Sequence, residues 1–308
     1  MWKEKTISTA KRGAAWGIGG AIAVAALLAA APAAAADRHL SLQFEAYVGG
    51  ISALTVGVEA GLRPEAYNVD FRFGTRGVVS WVMDWKMNAY SRGQFAPSGL
   101  IPASAATDSL WNGNKRTTRL DYAKDGSVSV DMVPVPDKDD RNPVPDALKR
   151  GTVDVSSALL GTLEAVGKTG TCARRVKVYD GRRRYDLVFE DDGAATLGKD
   201  TESVYHGQAL VCRLWIDPKA GFRNTGSRMN WATGDYARVY VAKVFDGGPP
   251  VPVALEYDTD LGTLRAYLTE ASFSDGDLHQ RLAKGSGDGA AKAAKSKEDI
   301  ARVTRNSK

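Results

Sequence analysis

Cysteine and histidine are scarce in this chain, and their scarcity excludes several classes of catalytic site. Only two cysteines and three histidines occur in 308 residues. Of these histidines only His206 falls within a predicted strand, where an isolated imidazole usually has a structural role. The sequence contains no H-E-x-x-H or G-x-S-x-G motif, no glycine-rich phosphate loop and no cluster of metal ligands. It therefore predicts a protein that is not an enzyme and that uses no cofactor and no metal.

Charged residues are absent from a long segment near the amino terminus, Gly13–Ala36, which is rich in alanine, isoleucine, valine and leucine. Small residues at Ala34 and Ala36 fit the cleavage rule of secretory signals, so cleavage is predicted between Ala36 and Asp37. The alternative is a retained membrane anchor, since a segment of this length could span a bilayer. Residues 1–36 are interpreted as a signal peptide and the mature protein as periplasmic. Four cations precede the segment: Lys3, Lys5, Lys11 and Arg12.

Large apolar residues are few at the other end, residues 281–308, which contain mainly lysine, alanine, glycine and serine. Such a composition predicts a disordered tail. The alternative is a basic arm that makes peripheral contact with the membrane or peptidoglycan. The signal segment contributes +3 and the tail +5 to the net charge of +5, which leaves −3 for residues 37–280. A slightly acidic body argues against nucleic acid as a partner.

The two cysteines, Cys172 and Cys212, have no C-x-x-C spacing, which argues against a redox-active pair. Behind a signal peptide they would enter an oxidising compartment, where an even number of cysteines predicts a disulfide. The alternative is two buried, unpaired thiols. We expect one structural disulfide.

Apolar residues alternate with polar ones through most of residues 37–280, which is the period of a β-strand. The alternation is clear in Leu40–Val48, Ser52–Ala60, Tyr67–Phe73 and Trp81–Asn88, and glycine-bearing turns separate these segments. An antiparallel meander is therefore predicted. Six further strands follow: Val176–Tyr179, its return strand through Phe189, Val204–Ile216, Tyr236–Phe245, Val253–Tyr257 and Thr263–Ser272.

One helical segment interrupts the strands. Asp154 is placed to cap it, and Ala158, Leu159, Leu163 and Val166 form an apolar stripe that ends before a glycine. The length of residues 37–280 suits one all-β domain. The sequence thus predicts a mainly β fold in a single domain with one or two short helices.

The sequence contains a series of short motifs: Tyr47–Gly50, Tyr90–Gly93, Arg119–Tyr122, Val144–Pro145, Gly151–Asp154, Ser156–Leu160, Val178–Tyr185 and Tyr205–Cys212. In their order and spacing they resemble a bacterial periplasmic family known as domain of unknown function 3108. The resemblance covers about Leu40 to Phe273. It implies a curved antiparallel sheet, a half-open β-barrel similar to that of the lipoprotein carriers LolA and LolB and of the enzyme VioE, with an apolar cleft. The family has no agreed catalytic residues.

Phe71, Trp81, Met83, Trp85 and Met87 are candidate ligand-binding residues of that cleft. The last four are predicted on one face of one strand, where two indoles and two thioethers would form an adaptable apolar wall. The alternative is ordinary core, which is what most alternating apolar faces become.

Arginines crowd the predicted hairpin around Asp180-Gly181, and Arg174, Arg182 and Arg184 are candidates to bind an anionic headgroup. Arginine forks match phosphate and carboxylate groups. Arg182 and Arg184 are predicted on one face of the hairpin. The alternative is a solvated hairpin whose cations pair with nearby acidic residues.

Three hypotheses for function follow. The first is a periplasmic binder, expected as a monomer, that holds a lipid, lipoprotein or other apolar envelope component in the cleft. The second is a structural or interaction protein of the cell envelope with a self-filled core. The third is an enzyme similar to VioE that lacks a recognisable motif. Fold alone does not decide among them.

Overall fold

Among the residues that the computed structural model describes, fourteen antiparallel strands form one curved sheet. The structure describes residues 37–97, 99–135, 141–223, 236–259 and 262–284. The strands are β1 Arg38–Val48, β2 Ile51–Leu62, β3 Ala66–Thr75, β4 Trp85–Ala96, β5 Gly99–Trp111, β6 Asn114–Tyr122, β7 Val128–Val133, β8 Arg174–Tyr179, β9 Arg184–Leu197, β10 Gly207–Ala220, β11 Ala237–Ala242, β12 Val251–Thr259, β13 Gly262–Asp275 and β14 Leu278–Ala283.

The sheet is curved but not closed by strand pairing. Its order runs β7-β6-β5-β4-β3-β2-β1-β13-β12-β11-β10-β9-β8, and β14 adds to β13. Each strand thus lies beside a neighbour in sequence, except where β1 joins β13. Register shifts, such as the one between Gln43 and Phe44, accompany the curvature. At the open side, the β8–β9 loop approaches β6: a Cβ built on Gly181 would lie 2.5 Å from Thr118 Cγ2.

Three helices lie among the described residues: α1 Val79–Val82, α2 Asp146–Lys149 and α3 Val155–Thr169. The long helix α3 begins directly after Asp154, whose side chain accepts a hydrogen bond from Ser157 N, as its capping role in the sequence predicts. It ends at Gly170, which adopts the left-handed conformation at φ 73°. Helix α3 contacts β3, β4, β5 and β8, so it lies inside the curl of the sheet.

Apolar side chains fill the two sides of this curl around α3. One cluster joins Leu62, Leu268 and Phe273 to Leu160 of the helix. A second joins Val178 and Phe189 to the opposite helix face. The mainly β fold that the sequence predicts is confirmed, with three described helices instead of one or two.

The disulfide is also confirmed: Cys172 and Cys212 are bonded, and both are buried. Cys172 precedes β8 and Cys212 lies in β10, so the bond links two strands that both pair with β9. Cys172 N donates to Asp191 Oδ1 of β9 at 2.8 Å. The disulfide therefore stabilises the β8–β9–β10 end of the sheet by joining the segment before β8 to β10 across β9.

The carboxyl-terminal boundary differs slightly from the predicted one at Gln280. Strand β14 continues through Ala283, and Arg281 pairs with Glu270 at 2.7 Å. The predicted signal peptide, Ala36 of its cleavage site and the tail beyond residue 284 lie outside the described residues. No helix within the described part of the chain has the length and hydropathy needed to cross a bilayer.

The strand predicted at Trp81–Asn88 is wrong in its first half. Strand β3 ends at Thr75, residues 79–82 form the short helix α1, and β4 begins only at Trp85. Thr75 fixes this connection, because its Oγ1 donates to Met83 O at 2.8 Å and accepts from Trp85 N at 3.0 Å. Trp81 and Met83 therefore do not share a strand face with Trp85 and Met87.

Candidate functional site

A groove of about 560 Å³ opens between α3, the β8–β9 loop and the concave face of β3–β6. Its size is within the range of small-molecule sites. The interior of the curl is therefore packed in one part and open in another. The lining includes Phe71, Met87, Ala89, Ala105, Thr107, Ser109, Arg116, Thr118, Leu120, Arg141, Asp154, Val155, Ser156, Leu159, Asp180, Arg182, Arg183 and Tyr185.

Strand register produces the apolar floor of this groove. Phe71 pairs with Ala89, Ala89 with Thr107, and Thr107 with Thr118, so these four residues of β3–β6 form one row. Side chains of paired residues point to the same side of a sheet. Leu159 of α3 lines the opposite wall. The result is a mainly apolar trough across four strands.

A cationic lip borders the floor. Arg182 and Arg183 come from the β8–β9 loop, and Arg116 from β6. Asp180 holds the loop, because its Oδ1 accepts from the backbone N of Arg182 at 3.0 Å and of Arg183 at 2.7 Å. Together with Arg141, the lining carries four arginines and two aspartates, so its formal charge is positive.

Arg183 is held in place within that lip. Its Nη2 lies 2.7 Å from Asp180 Oδ2. Its guanidinium also lies 5.8 Å from the ring centroids of both Tyr185 and Phe222, a cation–π distance. Such contacts preorganise the positive charge, which lowers the cost of binding an anion there.

A buried polar network lies where α3 meets the floor. Asp154 Oδ2 accepts from Ser157 Oγ at 2.6 Å and from Ser91 Oγ at 2.9 Å, and Tyr67 Oη lies 2.7 Å from Ser157 Oγ. Burial raises the pKa of Asp154 above the ordinary 3.8, although these hydrogen bonds oppose the shift. Burial likewise raises the pKa of Tyr67 to about 12.

Tyr122 adds a buried hydroxyl near this network. Its Oη has no hydrogen-bond partner among the described residues. Burial raises the pKa of Tyr122, and the charge of Asp154 adds to that effect. Unpartnered buried hydroxyls are costly, and a polar group of water or ligand would satisfy this one.

The predicted ligand wall is only partly assembled in the groove. Phe71 and Met87 line it. Trp85 packs against Phe73 and Trp111, with ring centroids 4.4 and 5.4 Å apart, outside the lining. Trp81 and Met83 do not line the groove, because they belong to the β3–β4 connection.

The three arginines predicted to bind an anionic headgroup lie in different environments. Arg182 lines the groove. Arg174 donates instead to Gly161 O, and Arg184 is buried with its Nη1 2.6 Å from Asp186 Oδ1. The loop contains four residues, Asp180–Arg183, so Arg184 starts β9, where its Nε donates to Leu148 O, and it does not line the groove.

Sequence reasoning missed Arg116, Arg183 and Leu159 as groove residues and recognised Asp154 only as a helix cap. Arg183 belongs to the same run of arginines, but only Arg182 and Arg184 were predicted to share the binding face of the hairpin. Arg116 is an exposed strand arginine with no distinguishing pattern. Its role emerges only from the pairing of β5 with β6.

The raised pKa of Asp154 predicts a pH dependence of stability. Above pH 3.8 the unfolded chain loses the Asp154 proton while the folded chain still retains it. The contribution of Asp154 to the free energy of unfolding therefore falls as the pH rises from 3.8 through the raised pKa of the folded state. Asp154→Asn cannot titrate. The free energy of unfolding of wild type relative to Asp154→Asn should therefore decrease from about pH 4 upward in urea titrations. Parallel pH profiles would contradict the assignment.

Substitution of Gly221 tests how rigidly the backbone of the cationic lip is packed. At φ 79° it lies against Arg182 O, and an added Cβ would also lie 2.9 Å from Val144 Cγ2. Gly193 has a similar φ of 83° with nothing within 4 Å of an added Cβ. Both alanine variants incur the left-handed penalty. Gly221→Ala should cost about 2 kcal/mol more than Gly193→Ala in urea unfolding, because backbone must move. If both variants lost the same free energy of unfolding, the backbone of the lip would move without additional cost.

Comparison with known proteins gives a family and one similar solved structure. The family model described as "Protein of unknown function (DUF3108)" matches residues 43–269. The crystal structure of a beta-barrel-like protein of domain of unknown function DUF1849 from Brucella abortus is similar, with 12% identity and a TM-score of 0.47. That alignment covers 78% of this chain and 99% of the other. No curated protein matches this chain.

Proposed function

The chain belongs to the DUF3108 family, whose function is unknown, and we propose that it is a non-catalytic binder of an amphipathic ligand with an apolar body and an anionic head. The observation that carries the proposal is the groove, in which an apolar floor meets a cationic lip. A lipid or another apolar envelope component has this chemistry.

The shape and lining of the groove support an acyl-like body for the ligand. Phe71, Met87 and Leu159 provide apolar surface with one adaptable thioether. Burial of apolar ligand surface is worth about 25 cal/mol per Å². A chain of several methylenes laid along the floor would therefore gain useful affinity without specific polar contacts.

The lip supports an anionic head. Arg182 and Arg183 approach from one side and Arg116 from the other. Guanidinium groups bind carboxylate or phosphate through paired hydrogen bonds. The head would lie between them while the body lies on the floor, and this orientation is the specificity that the site offers.

We further propose that the protein acts in the periplasm. The Cys172–Cys212 disulfide supports an oxidising compartment. The charge-free segment Gly13–Ala36 supports export. Edman sequencing or mass spectrometry of the protein from a periplasmic extract should find Asp37 as its first residue. An intact Met1 on membrane-bound protein would contradict this part of the proposal.

Arg182→Gln tests the role of the lip. Delipidated protein is titrated with a fluorescent long-chain fatty acid and with its uncharged methyl ester. The variant should bind the acid about tenfold more weakly and the ester unchanged, because only a charge-assisted contact is lost.

Arg281→Gln is the matched control, since Arg281 is exposed, pairs with Glu270 and lies in β14, which contributes nothing to the groove lining. Equal binding of acid and ester by wild type would remove the anionic head from the proposal. Failure to bind either probe would remove the ligand-binding function.

A further inference from the structure

Five exposed hydrophobic side chains lie in or directly beside three connections at one edge of the sheet. Ile51 follows the β1–β2 turn, Val78, Trp81 and Val82 lie in the β3–β4 connection, and Trp111 precedes the β5–β6 turn. Alternate turns of an antiparallel meander fall on the same edge, which brings these three connections together. We call these five residues the hydrophobic edge.

The hydrophobic edge contains large apolar side chains that are almost fully exposed to solvent. Trp81 is 86% and Val82 84% exposed. Neighbouring exposed apolar residues mark interaction sites, unlike single ones. Tryptophan in particular is enriched where proteins meet the membrane interface, because its ring is apolar and its N–H is polar.

The charge around the hydrophobic edge is positive. Residues 76–86 and 111–116 contain the cations Arg76, Lys86, Lys115 and Arg116 and one acid, Asp84. Glu45 is the partner of Arg76 at 2.9 Å and reduces the excess to +2. Apolar side chains surrounded by cations match a bilayer that contains anionic lipids.

The groove opens toward the same edge. Trp111 pairs with Trp85 in register, and the next pair on that face, Met87 with Ser109, already lines the groove. Phe73, Trp85 and Trp111 form an aromatic row between the two, with successive centroids 4.4 and 5.4 Å apart. An apolar path therefore runs from the exposed tip to the groove floor.

We propose that the hydrophobic edge docks the protein on an anionic bilayer, with Trp81 and Val82 inserted at the lipid interface and the groove mouth facing the membrane. Docking depends on the edge alone and not on occupancy of the groove. Vesicle binding and groove binding are therefore measured separately, and either can fail without the other.

The test is partition of the mature protein, which begins at Asp37, onto vesicles. Vesicles of phosphatidylglycerol and phosphatidylcholine are compared with vesicles of phosphatidylcholine alone. Wild type should prefer the anionic vesicles. Trp81→Ser/Val82→Ser should bind them at least about tenfold more weakly, because two inserted apolar side chains are lost. Lys115→Gln should bind about fivefold more weakly.

Ile101→Ser is the matched control, since Ile101 is 53% exposed but lies near the β4–β5 turn at the opposite edge of the sheet. It should partition as wild type does. Brominated lipids report tryptophan insertion directly: they should quench wild-type tryptophan fluorescence more than that of the double variant.

Four outcomes would overturn the proposal. In the first, wild type does not partition onto vesicles. In the second, the double variant partitions or is quenched as wild type is. In the third, Ile101→Ser loses as much vesicle binding as the double variant does. The fourth is a wild type that self-associates through this edge in analytical ultracentrifugation, loses the association in the double variant and ignores vesicles. That result would make the edge an interface between copies of the chain.

Discussion

Ala89→Trp is expected to abolish binding of an acyl ligand in the groove. Ala89 lies in the middle of the floor, paired with Phe71 on one side and Thr107 on the other, and its side chain is only half-buried. An indole at this position would occupy the space of the ligand body. Affinity for the fluorescent fatty acid should fall at least about a hundredfold, which corresponds to about 2.7 kcal/mol.

The adjacent residue supplies the control for this variant. Asn88 lies on the same strand, is exposed and faces the convex side of the sheet. Asn88→Trp adds the same ring to the same strand without entering the groove, so its ligand affinity should match that of wild type. Both variants should unfold within about 1 kcal/mol of wild type, because neither ring enters a packed core. Strong binding by Ala89→Trp would place the ligand elsewhere.

Cys172→Ala/Cys212→Ala is expected to lower the free energy of unfolding by about 4 kcal/mol. The bond closes a loop of 40 residues, and constraint of the unfolded chain by a loop of this size gives that magnitude in the chain-entropy treatment. The loop contains β8 and β9 with Arg182 and Arg183 between them. The disulfide thus stabilises the part of the sheet that carries the cationic lip.

Wild type in the presence of reductant is the internal control for the disulfide variant. Its unfolding midpoint in urea should fall to about that of the double alanine variant, while reductant should not affect the variant itself. If oxidised wild type and the variant unfolded at the same urea concentration, the bond would contribute nothing to the fold. In that case another constraint would have to hold β8 and β10 beside β9.

Alternation of apolar residues was sufficient to predict the sheet but not all of its connections. Leu40–Val48 became β1, and Tyr67–Phe73 became the centre of β3. The pattern failed at Trp81 and Met83, because their alternation with valine and aspartate continues through a connection that leaves the sheet. Thr75 controls that departure through hydrogen bonds to residues 83 and 85, which no periodicity reveals.

The groove was harder to predict than the sheet, since its residues are far apart in sequence. Phe71, Arg116, Leu159 and Arg182 come from β3, β6, α3 and the β8–β9 loop. Their proximity depends on strand register and on the curl around α3. The β8–β9 loop extends through Arg183, and Arg183 instead of the predicted Arg184 lines the groove beside Arg182. Local sequence therefore identified the types of residue better than the positions.

The most direct test of the ligand-binding proposal is native mass spectrometry of the protein after delipidation and incubation with a lipid extract of bacterial envelope. Wild type should recover one anionic amphiphile per chain, Asn88→Trp should do the same, and Ala89→Trp should remain empty. Wild type that recovers no lipid, or Ala89→Trp that recovers as much as wild type, would contradict a ligand site in the groove.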